Sequence, residues 1–538
     1  MRKHLFHVGG KPFFTIGGQT HNSSTHSDEM MDRSWIAAEA MGFNTIAAPV
    51  CWYQLEPEEG KFDFAAVDRI VNGARSRGLH AVILWFGTWK NGTSHYVPAW
   101  VKLQEERFTR VTSASGVPTG ILSPICEETR KADLRAFREL MQYLKKVNTD
   151  ETVIGVQVEN EPGQLGSPMD YSAAAKEKFE AQVPADCVEF LAGAPDCPIR
   201  KIWEANGAKM VGSWKELFGG LESAEIFSAY YISKYIDTIA AAGKEIYDIP
   251  MYINVWLGEM QNRVAGVDFP SGGATSRMID LWKYNTPHID AIAPDIYIQD
   301  ADSYREISKA YAREDNPFYI PESAASLMNA LNVNKEITDR DLCGIHVFGI
   351  ESYVEEDGTL KDRAKEYARA VKIYKAAAPL LEQQESNDSI KVYAVSQFEG
   401  SSFGFIDFGD YIGYINYFAP GGGFRPIGVD NLDYFHRDPE TYKVRAKGLI
   451  FYLGGGEFYI TGEGFSVILT KKGDIGMMTA AQIADPALNT RNLRYITLEE
   501  GEMDRDGVFH AKRMRCGDES DYGVWTHSDV GLVHVITG

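Results

Sequence analysis

The sequence predicts an α/β protein: a (β/α)8 TIM barrel over residues 1–375, followed by a smaller antiparallel, sandwich-like β domain over 376–538. Three observations carry this. Short runs that are apolar on both faces alternate with helical segments through the first part, the mark of a parallel sheet covered by helices. No dinucleotide fingerprint opens any of the βα units, which favours a closed barrel over an open doubly wound sheet. Beyond about residue 376 the strands become short, often alternating, and set among glycine-rich turns, the texture of an antiparallel domain.

The elements follow in order. Phe13-Phe14-Thr15-Ile16-Gly17-Gly18-Gln19 is the first strand, and a helix over about Met30 to Met41 follows with Asp28 as its cap. Thr45-Ile46-Ala47-Ala48-Pro49-Val50 is the second, and after a helix from Phe64 to Arg77 comes His80-Ala81-Val82-Ile83-Leu84-Trp85. A helix over residues 130–147 leads to the fourth strand, Thr152 to Glu161, which Pro162 stops by removing a ladder N–H. Strands five to eight are Pro250–Val255, Ile289–Pro294, Phe318–Ile320 and Cys343–Phe348. In the second part, Lys391–Val395, Glu457–Ile460, Phe465–Thr470 and Gly531–Ile536 read as strands. Gly421–Gly423 and Gly454–Gly456 lack the lysine of a phosphate loop and read as turns, and the acidic run Glu499–Glu502 reads as a solvated turn.

Composition narrows the function. A formal net charge of −21 with pI near 5.1 disfavours nucleic acid and anionic membrane surfaces as partners. No apolar run of signal length follows Arg2-Lys3, and no stretch of about 18 apolar residues occurs, so a cytoplasmic protein is expected, with export of a trimmed precursor left open. The six cysteines read as reduced thiols, although Cys187 and Cys197 could close a small loop in an exported protein. The oligomeric state is open, a homo-oligomer included. Aromatics make up 12% of the chain, ample for stacking on sugar rings.

In a barrel of this type, function sits at the C-terminal ends of the strands. There the sequence places Gln19, Trp52, Trp85, Asn160 with Glu161, Asn254 with Trp256, Asp295 with Tyr297, Glu322 and Glu351. Two carboxylates on different strands suit glycoside hydrolysis: one acid protonates the leaving oxygen and the other attacks the anomeric carbon or activates water. Glu161 and Glu322 are the pair, with Glu351 the competitor for the second place. Strand alternation puts Gln157, Glu159 and Glu161 on one side, so Glu159 reads as a buried support, and Asn160 reaches the cleft only if the strand end bulges. Trp52, Trp85, Trp89 and Trp256 are candidates for a sugar platform. His21, His26 and His346 form no ligand pattern, so no metal and no cofactor is expected. The expected partner is an oligosaccharide or glycoside substrate.

Three segments carry a resemblance: Gly42–Thr45 with Ala48–Phe64, Leu84-Trp85-Phe86-Gly87-Thr88-Trp89-Lys90-Asn91-Gly92, and Gln157-Val158-Glu159-Asn160-Glu161. Together and in this order they resemble a retaining clan A glycoside hydrolase, nearest the family 35 β-galactosidases and their bacterial subgroup with an extra C-terminal β domain. The resemblance implies an exo-acting enzyme that cleaves terminal β-galactosides through a covalent glycosyl-enzyme. Glu161 would then be the acid/base, Glu322 the nucleophile, Asn160 the holder of the hydroxyl next to the anomeric carbon, and Tyr297 a support for the nucleophile. Pro162 stands where the family usually has Tyr, and Gly349-Ile350 where many clan relatives have Trp. Other sugars (β-glucoside, α-arabinoside, β-xyloside) and a non-catalytic carbohydrate-binding barrel are the alternatives.

Overall fold

The computed structural model describes residues 2–220, 222–259, 262–398, 403–417, 445–475, 495–515 and 523–538. Six parallel strands, Thr15–Gln19, Thr45–Cys51, His80–Lys90, Val153–Asn160, Met251–Val255 and Ala291–Pro294, lie side by side, and Gly344–Phe348 pairs with the first. Residues 318–323 fill the remaining place. Ile296 N–H donates to the Glu322 carbonyl at 2.9 Å on one side, and His346 N–H donates to the Ile320 carbonyl at 2.9 Å on the other. The ring of eight extended segments is closed.

Alternation sorts the strand residues into two layers. Ala47, Val82, Leu84, Phe86, Tyr252, Ala291, Ala293 and Tyr319 fill the barrel interior. Ile46, Ala48, Ile83, Trp85, Val156 and Val158 pack outward against the helices. A hairpin of Phe6–Val8 and Lys11–Phe13 precedes the first barrel strand, and Phe6 joins the interior cluster. A Cβ on Gly155 would come within 2.4 Å of the Phe6 ring, so the strand must carry glycine there. His346 is an interior residue bonded to Thr15 Oγ1 at 2.6 Å and Tyr319 Oη at 2.9 Å, and burial drives its pKa down to about 3. It is a neutral packing histidine. The first barrel helix, Asp28–Met41, is capped by Ser27 rather than Asp28: the Ser27 hydroxyl accepts Met30 N–H, and Asp28 falls in the first turn.

The C-terminal part contains two antiparallel sheets among the described residues. One runs Lys391–Ser396, Lys447–Gly454, Glu457–Glu463, Leu532–Thr537, Tyr495–Met503 and Phe509–Met514 in spatial order, and the other Phe403–Asp407, Tyr411–Tyr417, Phe465–Lys471 and Val524–Trp525. Side chains of both, among them Phe408, Ile415, Ile450, Phe458, Val467 and Val533, share one core. Glu499–Glu502 lies inside a strand and not in a turn. Ladder bonds to strands on both sides hold it extended, and Glu500 accepts Arg515 Nε at 2.6 Å. Gly454–Gly456 is the expected turn, with φ of 93°, 60° and 87°, whereas Gly421–Gly423 and Cys516 lie outside the described residues.

The two parts are closely joined. The helix Asp362–Gln383 runs through residues 375 and 376, and the first strand of the C-terminal part starts at Lys391. Leu449, Phe451, Tyr459 and Leu532 of the six-stranded sheet belong to the same apolar cluster as the barrel and its helices. Lys447, fully buried, is ion-paired to Glu463 of its own sheet and, at 3.0 Å, to Glu366 of that helix. Cys51, Cys126, Cys187, Cys197 and Cys343 are buried free thiols. Among the described residues no helix is long and apolar enough to cross a membrane, and no group of three His, Cys, Asp or Glu side chains has the arrangement of a metal site.

Candidate active site

The fourth strand breaks its own alternation at its end. Glu159 and Glu161 have φ of 64° and 45°, a left-handed conformation that non-glycine residues adopt rarely and at a cost of about 1–3 kcal/mol each. The bend separates the two glutamates instead of leaving them on one side. Glu159 turns toward the helix layer, where its carboxylate accepts Thr88 N–H at 3.0 Å and Trp89 N–H at 2.7 Å. Beside it, Asp133 accepts Trp85 Nε1 at 3.0 Å, Thr88 Oγ1 at 2.8 Å and Tyr235 Oη at 2.9 Å. Burial, and then each other's charge, raises Glu159 well above the ordinary carboxylate range, and burial raises Asp133, so the pair holds a proton between them. Glu159 is thus a buried support for the bend.

Asn160 and Glu161 are carried to the cleft, where they meet Glu322 from the segment 318–323. Glu322 Oε1 accepts from Gln19 Nε2 at 2.9 Å, Asn160 Nδ2 at 3.4 Å and Asn254 Nδ2 at 3.4 Å, and Oε2 accepts from Tyr297 Oη at 2.9 Å. Four donors from four strand ends converge on one carboxylate. Tyr297 is 45% exposed as a residue, but desolvation at its hydroxyl end and the nearby charge of Glu322 raise its pKa far above the usual phenol range, and so it stays a donor.

Glu161 has the opposite environment. Its backbone N–H is held by Asn254 Oδ1 at 2.8 Å, yet among the described residues its carboxyl, 7% exposed, receives no bond from an amide or hydroxyl. Burial, then the charge of Glu322, pushes its pKa up to about 7, while Lys90 and a shared proton with Asp295 pull the other way. Asp295 is a third carboxyl in the cluster, with Oδ2 accepting Asn254 Nδ2 at 2.8 Å. Burial, then Glu322, then Glu161 raise it well above the ordinary range. One carboxylate is surrounded by donors and one carboxyl is kept able to hold a proton. Such a division of labour between two neighbouring acids is what acid-assisted displacement at an acetal requires.

Of the residues singled out in the sequence, the structure brings Gln19, Asn160, Glu161, Tyr297 and Glu322 together. Trp256, one residue past its strand, is partly exposed at the rim. Trp52 and Trp85 are not in the cleft. Trp52 is fully buried, donates to Glu56 at 2.9 Å and packs edge-on against Trp100; Trp85 points outward to Asp133. Trp89 is likewise buried against Tyr235. Each is a platform for helices, not for a sugar. Glu351 is also withdrawn. Its carboxylate accepts His21 N–H and the hydroxyls of Ser24 and Ser34, clasping the loop after the first strand to the first helix. Asn254 and Asp295 belong to the site although the sequence assigned them no role. Their signal was a polar residue at the end of a fully apolar buried strand.

Comparison with known proteins follows this division. Residues 5–216 match the family model "Glycosyl hydrolases family 35", and residues 368–527 match "Domain of unknown function (DUF5597)". The first match includes Asn160 and Glu161; Glu322 lies beyond it. A beta-galactosidase of Xanthomonas manihotis is 30% identical over 171 residues, covering 30% of this chain and 26% of that protein. The human beta-galactosidase-1-like protein 3 is 27% identical over 176 residues, 31% of this chain and 24% of that protein. The chain thus spans about a quarter of the length of these curated relatives. Among solved structures, a GH42 beta-galactosidase from G. stearothermophilus, in the form of a catalytic mutant, superposes with a TM-score of 0.50 at 16% identity, over 71% of this chain and 58% of that one. That likeness is one of fold. Residues 5–216, which hold the first four barrel strands, are thus similar to glycosyl hydrolases family 35, and residues 368–527 are similar to DUF5597.

Proposed function

We propose that the protein is a retaining β-glycosidase acting on terminal β-galactosides, with Glu322 as nucleophile and Glu161 as acid/base. The observation that carries this reading is the asymmetry of the two acids among the described residues: Glu322 gathers four donors, and Glu161 gathers none of that kind while burial and Glu322's charge raise its pKa to about 7. In the first step Glu322 attacks the anomeric carbon as the bond to the leaving oxygen breaks, and Glu161 delivers its proton to that oxygen. Formation of the ester removes the charge of Glu322. The push on Glu161 then relaxes, and the carboxylate left behind can take a proton from water, which attacks the same carbon and frees Glu322. Asn254 ties the two halves of this cycle together, since it accepts from the Glu161 backbone and donates to both Asp295 and Glu322. The galactoside is the substrate suggested by the beta-galactosidases that the chain resembles.

The decisive experiment is to incubate the protein with an activated 2-deoxy-2-fluoro-β-galactoside and digest it. The expected adduct has the mass of one fluorosugar and maps to the peptide containing Glu322; an adduct elsewhere, or turnover with inversion by NMR, overturns the assignment. A pH profile supplies a second check. Glu161 must be protonated in the first step, and its pKa is raised to about 7, so the alkaline limb of kcat/KM should fall as pH rises through about 7. A profile still rising beyond pH 8 contradicts Glu161 as the acid.

A further inference from the structure

Among the described residues Lys90 is a cation beside the acidic cluster, and the chemistry above gives it no role. Lys90 ends the third barrel strand and stands opposite Asn160 in the register of the fourth. It is 5% exposed, and its Nζ lies 5.2 Å from the centroid of Phe86, a residue of the barrel interior. Its charge acts on Glu161 and Asp295, yet among the described residues its ammonium makes no ion pair and no hydrogen bond. An ammonium has three donors and no acceptor, and although the stem of Lys90 is buried its Nζ remains accessible, so its donors are free to meet a ligand. The complementary deficit lies at the same end of the barrel. Among the described residues Asn160 Oδ1 and Gln19 Oε1 are buried acceptors without a donor, although the amide nitrogen of each is bonded to Glu322.

Unused donors and unused acceptors around one cleft are met together by a group that both gives and takes hydrogen bonds. A sugar hydroxyl is such a group. An anionic substituent is a poorer match, because it would face ionised Glu322 and the carboxyls of Glu161 and Asp295 as well as the lysine. We propose that Lys90 is a specificity-determining residue whose ammonium donates to one hydroxyl of the non-reducing sugar, so that sugars lacking that hydroxyl are rejected. This inference rests on the glycosidase reading for the identity of the ligand but not on any step of catalysis.

The test compares wild type, Lys90→Met and Lys90→Arg on 4-nitrophenyl β-galactoside, its four monodeoxy analogues and the β-galacturonide. Calorimetry with galactose and the monodeoxygalactoses runs in parallel, and thermal unfolding confirms that the variants fold. For Lys90→Met, kcat/KM on the parent should fall by roughly 10²-fold, the worth of a charged hydrogen bond in a buried site. On one monodeoxy substrate, and that one only, wild type and Lys90→Met should be equal, and Lys90→Arg should recover part of the loss. An equal loss on every substrate, no loss at all, or a wild type that prefers the galacturonide overturns the proposal. If wild type cleaves none of the glycosides, the glycosidase reading fails by itself. Lys90 is then decided by binding: weaker galactose affinity in Lys90→Met with one deoxygalactose unaffected supports it, and uniform affinity or no binding to wild type refutes it.

Discussion

Glu322→Gln is expected to lower kcat/KM on an unactivated β-galactoside by roughly 10⁴-fold or more, because the proposed attack on the anomeric carbon is made by this carboxylate, on which four cleft donors converge. The substitution keeps the shape but replaces a four-times-bonded carboxylate by an amide. Gln19, Asn160 and Asn254 would then direct their N–H groups at a neutral oxygen, and Tyr297 would keep at best one bond. The fold should survive, since these are polar contacts at the cleft and not in the core; a thermal melt checks this alongside kinetics. Glu351 is the control. Its clasp to His21, Ser24 and Ser34 predicts that Glu351→Gln affects melting more than chemistry. Activity above a few per cent in Glu322→Gln would remove this residue from the mechanism.

The second large effect depends on the leaving group. Glu161→Ala removes the proton donor, so hydrolysis of an unactivated glycoside should fall by roughly 10²- to 10⁴-fold. A dinitrophenyl glycoside, whose leaving oxygen needs no proton, should lose far less in its first step. With Glu161 gone, the glycosyl-enzyme has no base to activate water and should accumulate. Azide, an anion that needs no activation and can occupy the space left by the carboxyl, should restore turnover and yield the β-glycosyl azide, which NMR identifies. An α-azide, or losses that are the same for good and poor leaving groups, would falsify the role given to Glu161.

How much of this was legible in the sequence varies by physical cause. The barrel was readable because its strands are short, apolar on both faces and separated by helices. The same property hid where individual side chains point. In a run such as Ala81–Phe86 no polar residue marks a face, so Trp85 was expected at the sugar although it lies on the helix side, and Leu84 and Phe86 fill the interior. That Glu161 and Glu322 meet in one cleft was readable because a carboxylate ending an apolar strand at a proline or a turn has few structural uses. Glu351 satisfied the same rule and failed, since its partners Ser24 and Ser34 are more than 300 residues away in sequence. The bend that divides Glu159 from Glu161 could be anticipated as a possibility. Its direction required the pocket of Thr88 and Trp89 N–H groups and the neighbouring Asp133. Lys90 had no signal beyond its place in a motif, because a lysine at a strand end is usually solvated.

One join between the two parts changes how the chain should be divided. The sheet residues Leu449, Phe451, Tyr459 and Leu532 sit in the barrel's own cluster, Lys447 reaches across to Glu366, and Phe14 N–H at the start of the barrel is held by Glu382 at 2.9 Å, late in the helix that crosses the sequence boundary. Modules defined by sequence and units defined by cohesion therefore do not coincide in this molecule. The barrel has no closed apolar surface of its own on that side, so evolution could not shuffle it away from its companion without first resurfacing it. The sheet residues that match DUF5597 are therefore also part of the apolar packing that holds the barrel.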